Sequence, residues 1–308
     1  MWNIGVITEK QYSCEQALLK AVAKYYQRDY QMIFSDSWGF NYSYDEKSIG
    51  KKLSPGYAGK KLINYYFFHG IKVQNTMMSS IQDFNLFFHN NISKSPILIE
   101  YDTFYCFWNR LYKKMHNFHM LLILDIAKDG YYLCIDQYTN KPMKIKIHKN
   151  WKGRVSTFEL CSEVSSKKEN YLVELKNQGE FLIQQNMIAN LESFIKDLTE
   201  LSGYTEELIF ENRIDPSMSP LILNLERIKN QRMCFKEYLE YLNKKNIFHS
   251  DIKELIRDFE SISNKYHILK MMIFKEMIQG SVQDKSTVLR KLLNLEKNTL
   301  KKFLLMVE

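Results

Sequence analysis

The sequence predicts an α+β protein in which an antiparallel sheet is followed by a helical module. The strongest sign of the sheet is the apolar run Met120–Leu124, which a second run, Tyr131–Ile135, follows across an Asp129-Gly130 turn. An Asp-Gly pair between two such runs is typical of a β-hairpin. After about residue 170, short apolar runs give way to long helical patterns. We therefore expect two domains, residues 1–170 and 171–308.

Three helices are expected before the hairpin. Ser13 and Gln16 have the Ser-x-x-Gln spacing of a capping box, and apolar residues then recur at helical intervals. Residues 57–69 carry a second helical pattern, which Gly70 would end as a C-cap. Ser80 opens a third helix.

Further strands are expected on both sides of the hairpin in the chain. Pro96 precedes the apolar stretch Ile97–Ile99. The segment Met143–Ile147 alternates apolar residues with lysine, as a half-buried strand does, and Ser156–Leu160 is the last strand expected. From about Asn177 onward the pattern predicts four or five helices. Their expected boundaries are Gly203, residues 215–220, residues 246–250 and residues 280–284.

Composition indicates a globular chain without a targeting segment. The 308 residues are 45% hydrophobic and 25% charged, with 14% aromatic residues. The start of the chain lacks the features of a signal peptide, and no apolar run reaches the length of a membrane span. The five cysteines are scattered and odd in number, which favours a reducing cytoplasm over a disulfide framework.

The net charge of +8 suggests an acidic partner, although lysines spread over helix faces would explain it equally well. Nucleic-acid binding has no support beyond this charge, and no glycine-rich phosphate loop is present. His116 and His119 are three residues apart and no cysteine pair has ligand spacing, so we expect no metal.

Cys14 is the first candidate for chemistry. It stands at the first helical position after the Ser13 cap, where unpaired N–H groups and the helix dipole favour an anion such as a thiolate. The same N–H groups can donate to an oxyanion on a carbonyl under attack. A free cysteine is often a small buried hydrophobic residue, so this placement alone leaves both interpretations open.

His119 and Asp136 lie at the end of the hairpin away from its turn. His119 immediately precedes the first apolar strand, and Asp136 follows the returning strand. Residues of an antiparallel pair that are distant from the turn lie near each other, so an acid there can orient the imidazole. The order Cys14, His119, Asp136, with the nucleophile on a helix and the other two on a sheet, is the papain-like arrangement. The sequence therefore predicts a papain-like fold with Cys14 as nucleophile, His119 as base and Asp136 as orienting acid.

Four other residues are candidates for the oxyanion site or for substrate binding. Gln11 precedes Cys14 and could donate to an oxyanion, and His116 could assist or gate the site. Tyr101 and Trp108 belong to an aromatic cluster before His119 that could line an acyl pocket. Each also has an ordinary structural interpretation, which the sequence leaves open.

Five stretches between residues 14 and 136 resemble the N-terminal domain of the butirosin acyltransferase family, a papain-like branch. The most specific is a Tyr-x3-His-x2-His segment that leads into an apolar strand. The five stretches are Cys14–Leu18, Phe34–Phe40, Pro96–Asp102, Tyr112–His119 and Asp129–Asp136.

This resemblance implies amide-forming acyl transfer in the assembly of small natural products of the nonribosomal-peptide type, such as antibiotics. An acyl group would leave a thioester on an acyl or peptidyl carrier protein, rest on Cys14 and pass to a small-molecule amine. Phosphopantetheine would enter only as part of the carrier, and no other cofactor is expected. The chain has Cys14-Glu15 where the family usually has Cys-Gly, and Leu124-Asp125-Ile126 where it usually has Gly-Tyr-Asp. These departures leave the substrate open.

Two other functions remain open at this stage. A peptidase or thioesterase would use the same three residues with water as the acceptor, and a binding protein could keep the fold without turnover. The helical module could shape substrate access, form the interface of a homodimer or complete a single core.

Overall fold

The computed structural model describes most of the chain and divides it into two compact units. The described residues are 2–5, 7–139, 141–162, 165, 167–201, 204, 216–248, 251–280 and 283–307. The first unit, called here the sheet unit, contains Met1–Ile33 and Leu62–Ser165. The second, the helical unit, contains Phe34–Lys61 and Ser166–Glu308. The predicted α+β class, with an antiparallel sheet and a helical C-terminal region, is confirmed.

The regular elements of the described residues are numbered in chain order. The strands are β1 (Asn41–Tyr42), β2 (Leu53–Ser54), β3 (Ile71–Met78), β4 (Ile97–Asp102), β5 (Phe118–Ile126), β6 (Tyr132–Ile135), β7 (Met143–Ile145) and β8 (Gly153–Leu160). The helices are α1 (Cys14–Tyr25), α2 (Ile49–Lys52), α3 (Lys61–His69), α4 (Ile81–Asn91), α5 (Lys168–Gln184), α6 (Met187–Glu200), α7 (Pro220–Lys244), α8 (Lys253–Gln279) and α9 (Ser286–Val307).

The sheet unit is built on six antiparallel strands in the order β3-β8-β4-β5-β6-β7. The apolar run predicted as a strand is central, and Leu121 and Ile123 of β5 are fully buried with Phe84 and Phe88 of α4 in one hydrophobic core. The aromatic rings are large apolar groups that leave water when they pack on the sheet. α1 packs against β5, so the helix that carries Cys14 is anchored to the strand that carries His119.

The local signals that start and end these helices act as the sequence predicts. Ser13 and Gln16 form the reciprocal capping box at the start of α1, and the Ser80 hydroxyl accepts from the Asp83 N–H at the start of α4. Gly70 ends α3 with φ of 68°, a left-handed conformation that glycine adopts without strain. α3 begins at Lys61, four residues later than the predicted start at Tyr57.

The pairing of β5 with β6 leaves an opening in the sheet beside His119. The register pairs Ile123 with Cys134 and Leu122 with Ile135, and there the pairing ends. The residues of β5 before Leu122 have no partner in β6. On its other edge, β5 still pairs with β4 in this part, where His119 lies opposite Tyr101. The residues after Ile135 therefore leave the sheet next to the unpaired edge of β5 and are available to contact His119.

The helical unit is held together by a buried polar cluster as well as by apolar packing. Arg232 of α7 and Glu296 of α9 are both 0% exposed and form an ion pair of 2.8 Å between Nε and Oε1. Trp38 donates from Nε1 to Oε2 of Glu296 at 3.0 Å, and Arg232 Nη1 donates to the carbonyl oxygen of Gly39 at 3.0 Å. A Cβ atom at Gly39 would lie 2.0 Å from the carbonyl oxygen of Gly56, so the close approach of the two chain segments requires glycine at this position.

Three features of this architecture differ from the sequence prediction. Residues 34–61 group with the C-terminal helices, whereas the expected boundary near residue 170 placed them in the first domain. The strand β3 was not predicted, because its exposed polar residues do not form an apolar run. In the helical module, the first helix begins at Lys168 instead of near Asn177, and the boundary predicted at Gly203 lies outside the described residues.

Among the described residues, none of the helices combines the length and the apolar composition that crossing a bilayer requires.

Candidate active site

Cys14 begins α1, and its surroundings follow from the capping box. The Ser13 hydroxyl accepts from the Gln16 N–H at 3.2 Å, and Gln16 Oε1 accepts from the Ser13 N–H at 2.9 Å. The cap therefore fixes the first turn, while the N–H of Cys14 itself stands at a position where a helix supplies no partner. Cys14 is partly exposed, so its sulfur can meet a substrate at the positive end of the helix dipole.

His119 and Asp136 form a buried pair, as the hairpin predicts. Nε2 of His119 lies 2.8 Å from Oδ2 of Asp136, and the two residues are 3% and 1% exposed. Because an imidazole nitrogen bonded to a carboxylate carries the proton, the second ring nitrogen, Nδ1, is left to face other groups.

The His119 ring also makes a side-chain hydrogen bond to Cys14, so the structure brings the three predicted residues together. Burial of the imidazole lowers its pKa, but the hydrogen bonds to Asp136 and Cys14 and their negative charges outweigh burial and raise the pKa of His119 to about 9. A protonated imidazole therefore places a positive charge beside the Cys14 sulfur at neutral pH. The arrangement can therefore supply an activated sulfur nucleophile.

Asp136 is held as a carboxylate by several donors. Trp108 Nε1 donates to Oδ2 at 2.6 Å, and the Tyr138 main-chain N–H donates to Oδ1 at 2.7 Å. Burial raises the pKa of Asp136, but the hydrogen bonds from His119 and Trp108, the His119 charge and the Tyr138 N–H lower it below its usual value. An ionised acid in this position stabilises the imidazolium and fixes the ring orientation.

Gln137 and Tyr138, which follow Asp136, hold the nucleophile and the base. With the amide oriented to satisfy its neighbours, the Gln137 nitrogen donates to the carbonyl oxygens of Tyr12 at 3.1 Å and Ser13 at 3.3 Å, and its oxygen accepts from the Tyr138 hydroxyl at 2.8 Å. The Tyr138 ring stacks on His119 with a centroid distance of 5.6 Å and an interplanar angle of 20°. Of three consecutive residues, Asp136 and Tyr138 thus contact the His119 ring and Gln137 contacts the backbone before Cys14.

The other cysteines of the sheet unit are less suited to attack a substrate. Cys106 and Cys134 are 0% exposed, and burial raises the pKa of Cys106 to about 12 and that of Cys134 well above its usual value. Both thiols are therefore protonated at neutral pH. Cys161, which is partly exposed, follows β8.

The structure gives three of the other candidate residues different surroundings from those proposed. His116 is bonded through Nδ1 to Asp102 Oδ2 at 2.6 Å and stacks on Phe104. Tyr101 is 5% exposed in the core of the sheet unit, and its hydroxyl donates to the carbonyl oxygen of Lys146 at 3.3 Å, so it does not line an open pocket. Trp108 donates to Asp136, a contact that was not predicted, and its role in an acyl pocket stays a prediction.

Gln11 is half-buried in the turn before α1, three residues ahead of Cys14. Its role as an oxyanion donor stays a prediction, because its spacing from Cys14 is shorter than in the papain pattern. Gln137 and Tyr138 were not predicted. The signal that could have found them is their position directly after an acid at a strand end, where the chain must turn beside the nucleophile.

Glu15, which directly follows Cys14, takes part in a charged cluster. Glu15 Oε1 lies 3.6 Å from Nη2 of Arg154, whose Nε lies 2.9 Å from Glu100 Oε1. These side chains are partly exposed, so the pairs contribute little to stability. Because Glu15 directly follows Cys14, the cluster places one guanidinium and the carboxylate of Glu100 near the start of α1.

No protein-family model matches the sequence, and no curated protein matches it significantly. Within the part of the chain that the structure describes, no group of three or more His, Cys, Asp or Glu side chains is arranged to hold a metal ion.

Proposed function

We propose that the protein is a cysteine-dependent acyltransferase that forms an amide through a Cys14 acyl-enzyme. The observation that carries this proposal is the continuous hydrogen-bonded chain from Cys14 through His119 to the buried Asp136. A thiolate and imidazolium supported by a carboxylate are the parts that cysteine acyl chemistry needs. The capped helix start adds N–H groups for the oxyanion.

In the proposed reaction, the Cys14 sulfur attacks the carbonyl carbon of a thioester. The carbon–sulfur bond of the donor breaks, the departing sulfur takes a proton from the His119 imidazolium and leaves as a thiol, and the acyl group is then joined to Cys14. An amine attacks this second thioester, the bond to Cys14 breaks, and His119 accepts the proton that the amine loses. The atoms of donor and acceptor appear in the products as a free thiol and an amide.

The papain-like fold is part of the same proposal. It is supported by a helix that begins at the nucleophile and packs on a strand of an antiparallel sheet, where the base and the acid lie. The relationship to the butirosin acyltransferase family also remains a proposal. It accounts for the Tyr-x3-His-x2-His segment, of which His119 contacts Cys14 while His116 is bonded to Asp102.

We infer that the donor is a thioester on the phosphopantetheine arm of an acidic carrier protein. A thioester releases a thiol, which needs less help from an acid than a leaving amine does, so a thiolate–imidazolium pair suits it. The net charge of +8 would speed the encounter with an acidic carrier. A small-molecule amine is the acceptor in this scheme.

A hydrolase with the same three residues is the alternative, and one experiment separates the two. The protein is incubated with an acyl-loaded carrier protein and a panel of amines, and the products are followed by mass. Cys14→Ala is the inactive comparison, and Cys161→Ala, which alters another partly exposed cysteine, is the matched control.

An amide that depends on Cys14 and is retained in Cys161→Ala supports the transferase. If only free acid is formed with every amine, and its formation depends on Cys14, the enzyme is a hydrolase. Cleavage of short peptides while the carrier stays loaded would show that the donor is wrong.

A further inference from the structure

Trp108 makes a hydrogen bond that the acyl-transfer scheme does not itself require. Its Nε1 donates to Oδ2 of Asp136 at 2.6 Å, and this is the same oxygen that His119 contacts through Nε2 at 2.8 Å. One carboxylate oxygen therefore accepts from two ring N–H groups. Since Asp136 is 1% exposed, neither donor is readily replaced by water.

The position of Trp108 is set by the core and by its loop. Its ring packs against the hydrophobic core of the sheet unit and meets the edge of Phe107 at a centroid distance of 4.9 Å. The loop closes on itself through the Thr103 N–H, which donates to the carbonyl oxygen of Asn117 at 3.0 Å. Because the indole is held in this way, its N–H keeps the Asp136 carboxylate in a fixed position.

Two donors to one oxygen weaken each other. A hydrogen bond to the charged form of an acid stabilises that form and withdraws charge from the oxygen, so less remains for the second donor. If the indole N–H were removed, Asp136 would hold the imidazolium of His119 more strongly. The imidazole would then part with its proton less readily.

We propose that Trp108 is a positioning residue that acts through Asp136. It fixes the carboxylate against His119 and limits the strength of their hydrogen bond, so that the imidazole can release and regain a proton during turnover. The proposal rests on the proposed function for the role of this proton, whereas the geometry stands without it.

Other titratable groups near the pair have to be considered in any pH measurement. The Cys14 thiol contacts the His119 ring, and the Tyr138 ring stacks on it. The charge of Asp136 is also felt by the buried thiols of Cys106 and Cys134, but burial raises the pKa of both, so they do not titrate near neutral pH. Burial also raises the pKa of Tyr138 above its usual value, so the alkaline transition nearest pH 9 is that of His119.

The test compares Trp108→Phe with Trp151→Phe. Both changes keep an aromatic ring and remove an indole N–H, but Trp151 donates to the carbonyl oxygen of Glu100 and not to Asp136. The rate at which iodoacetamide alkylates Cys14 is measured from pH 5 to pH 10 by intact mass, because thiolate reactivity changes when the neighbouring imidazolium loses its proton. We expect Trp108→Phe to raise the pH of this alkaline transition by about half a unit or more, and Trp151→Phe to leave it in place.

A transition that does not move, or that moves to lower pH, overturns the proposal. The measurement uses no acyl donor, so its result does not depend on the proposed function. If the alkylation profile changes as expected but the protein transfers no acyl group, the acyltransferase proposal is wrong and the role of Trp108 stands.

If Trp108→Phe does not fold, the wild-type protein provides a second measurement. The chain has four tryptophans, so their ¹⁵N-labelled indole signals are few, and that of Trp108 can be identified from its contact with the Phe107 ring. We expect this signal to shift with pH through the same alkaline transition. If the chemical shift of the Trp108 indole does not change through this transition, the proposal is contradicted.

Discussion

The side-chain nitrogen of Gln137 lies 3.3 Å from the carbonyl oxygen of Ser13, the residue that caps the helix of Cys14. Gln137 also follows Asp136 directly in the chain. The residue after the acid therefore holds the residue before the nucleophile, so the two halves of the site are joined by one amide group as well as by His119.

Replacing Gln137 by alanine should slow the acylation of Cys14. The carbonyl oxygens of Tyr12 and Ser13 would lose a donor, at a cost of about 1 kcal/mol in the free energy of unfolding. Because small displacements of a nucleophile reduce its rate strongly, we expect roughly tenfold slower acylation by a thioester. Gln74→Ala, which removes an exposed amide bonded to Glu159, serves as the control and should leave the rate unchanged. Equal rates in the two variants would mean that Gln137 does not position the site.

The raised pKa of His119 predicts how stability depends on pH. Below about pH 6.5 the imidazole is protonated in both the folded and the unfolded chain, and its stabilising effect is fully present. As the pH rises to about 9, the unfolded chain loses this proton first and the stabilisation disappears. The loss is on the order of 3 kcal/mol, from a difference of 2.5 between the two values.

This pH dependence is measured by chemical denaturation at pH 6 and pH 9.5. Wild type should lose more stability over this interval than His119→Ala does, whereas His116→Ala, which alters the neighbouring exposed histidine, should follow wild type. Parallel losses in wild type and His119→Ala would contradict the ion pair.

Asp136→Asn should retain more activity than His119→Ala. An asparagine oxygen can still accept a hydrogen bond from the imidazole and keep its orientation, although it no longer stabilises the imidazolium charge. Removal of the base leaves Cys14 without a proton acceptor, and we expect a loss at least about tenfold larger. The rate of acyl-adduct formation measures both effects. If Asp136→Asn is as slow as His119→Ala, orientation of the ring is not the main role of the acid.

The buried ion pair of the helical unit predicts a large and asymmetric effect. Arg232→Ala leaves the carboxylate of Glu296 buried without its cation, which costs about 3–5 kcal/mol. Removing both charges in Arg232→Met with Glu296→Leu should cost less, although Trp38 then loses its acceptor. Lys236→Ala, which breaks an exposed pair with Glu260, should change stability by less than about 1 kcal/mol. A double variant less stable than Arg232→Ala would exclude this explanation.

The triad could be predicted from the sequence because local signals place its members. The capping box of Ser13 sets the start of α1, and the Asp129-Gly130 turn sets the hairpin that brings His119 and Asp136 together. Both signals act between residues that are close in the chain. Few residue types can adopt the φ of 78° found at Gly130, and few have a side chain that can cap a helix as Ser13 does.

The surroundings of the triad could not be predicted in the same way. Trp108 reaches Asp136 because its loop folds back on itself, and His116 meets Asp102 for the same reason. The grouping of residues 34–61 with the C-terminal helices depends on contacts such as that of Trp38 with Glu296, which are 258 positions apart. Local spacing patterns in the sequence do not indicate contacts between segments so far apart in the chain.

The most direct test of the account is to locate the acyl group on the protein. Wild type, Cys14→Ala and Cys161→Ala are each incubated with an acyl thioester of N-acetylcysteamine, and the intact masses are measured before peptide mapping. The account predicts one acyl adduct in wild type and in Cys161→Ala, mapped to Cys14, and no adduct in Cys14→Ala. An adduct that persists in Cys14→Ala on another cysteine would contradict it.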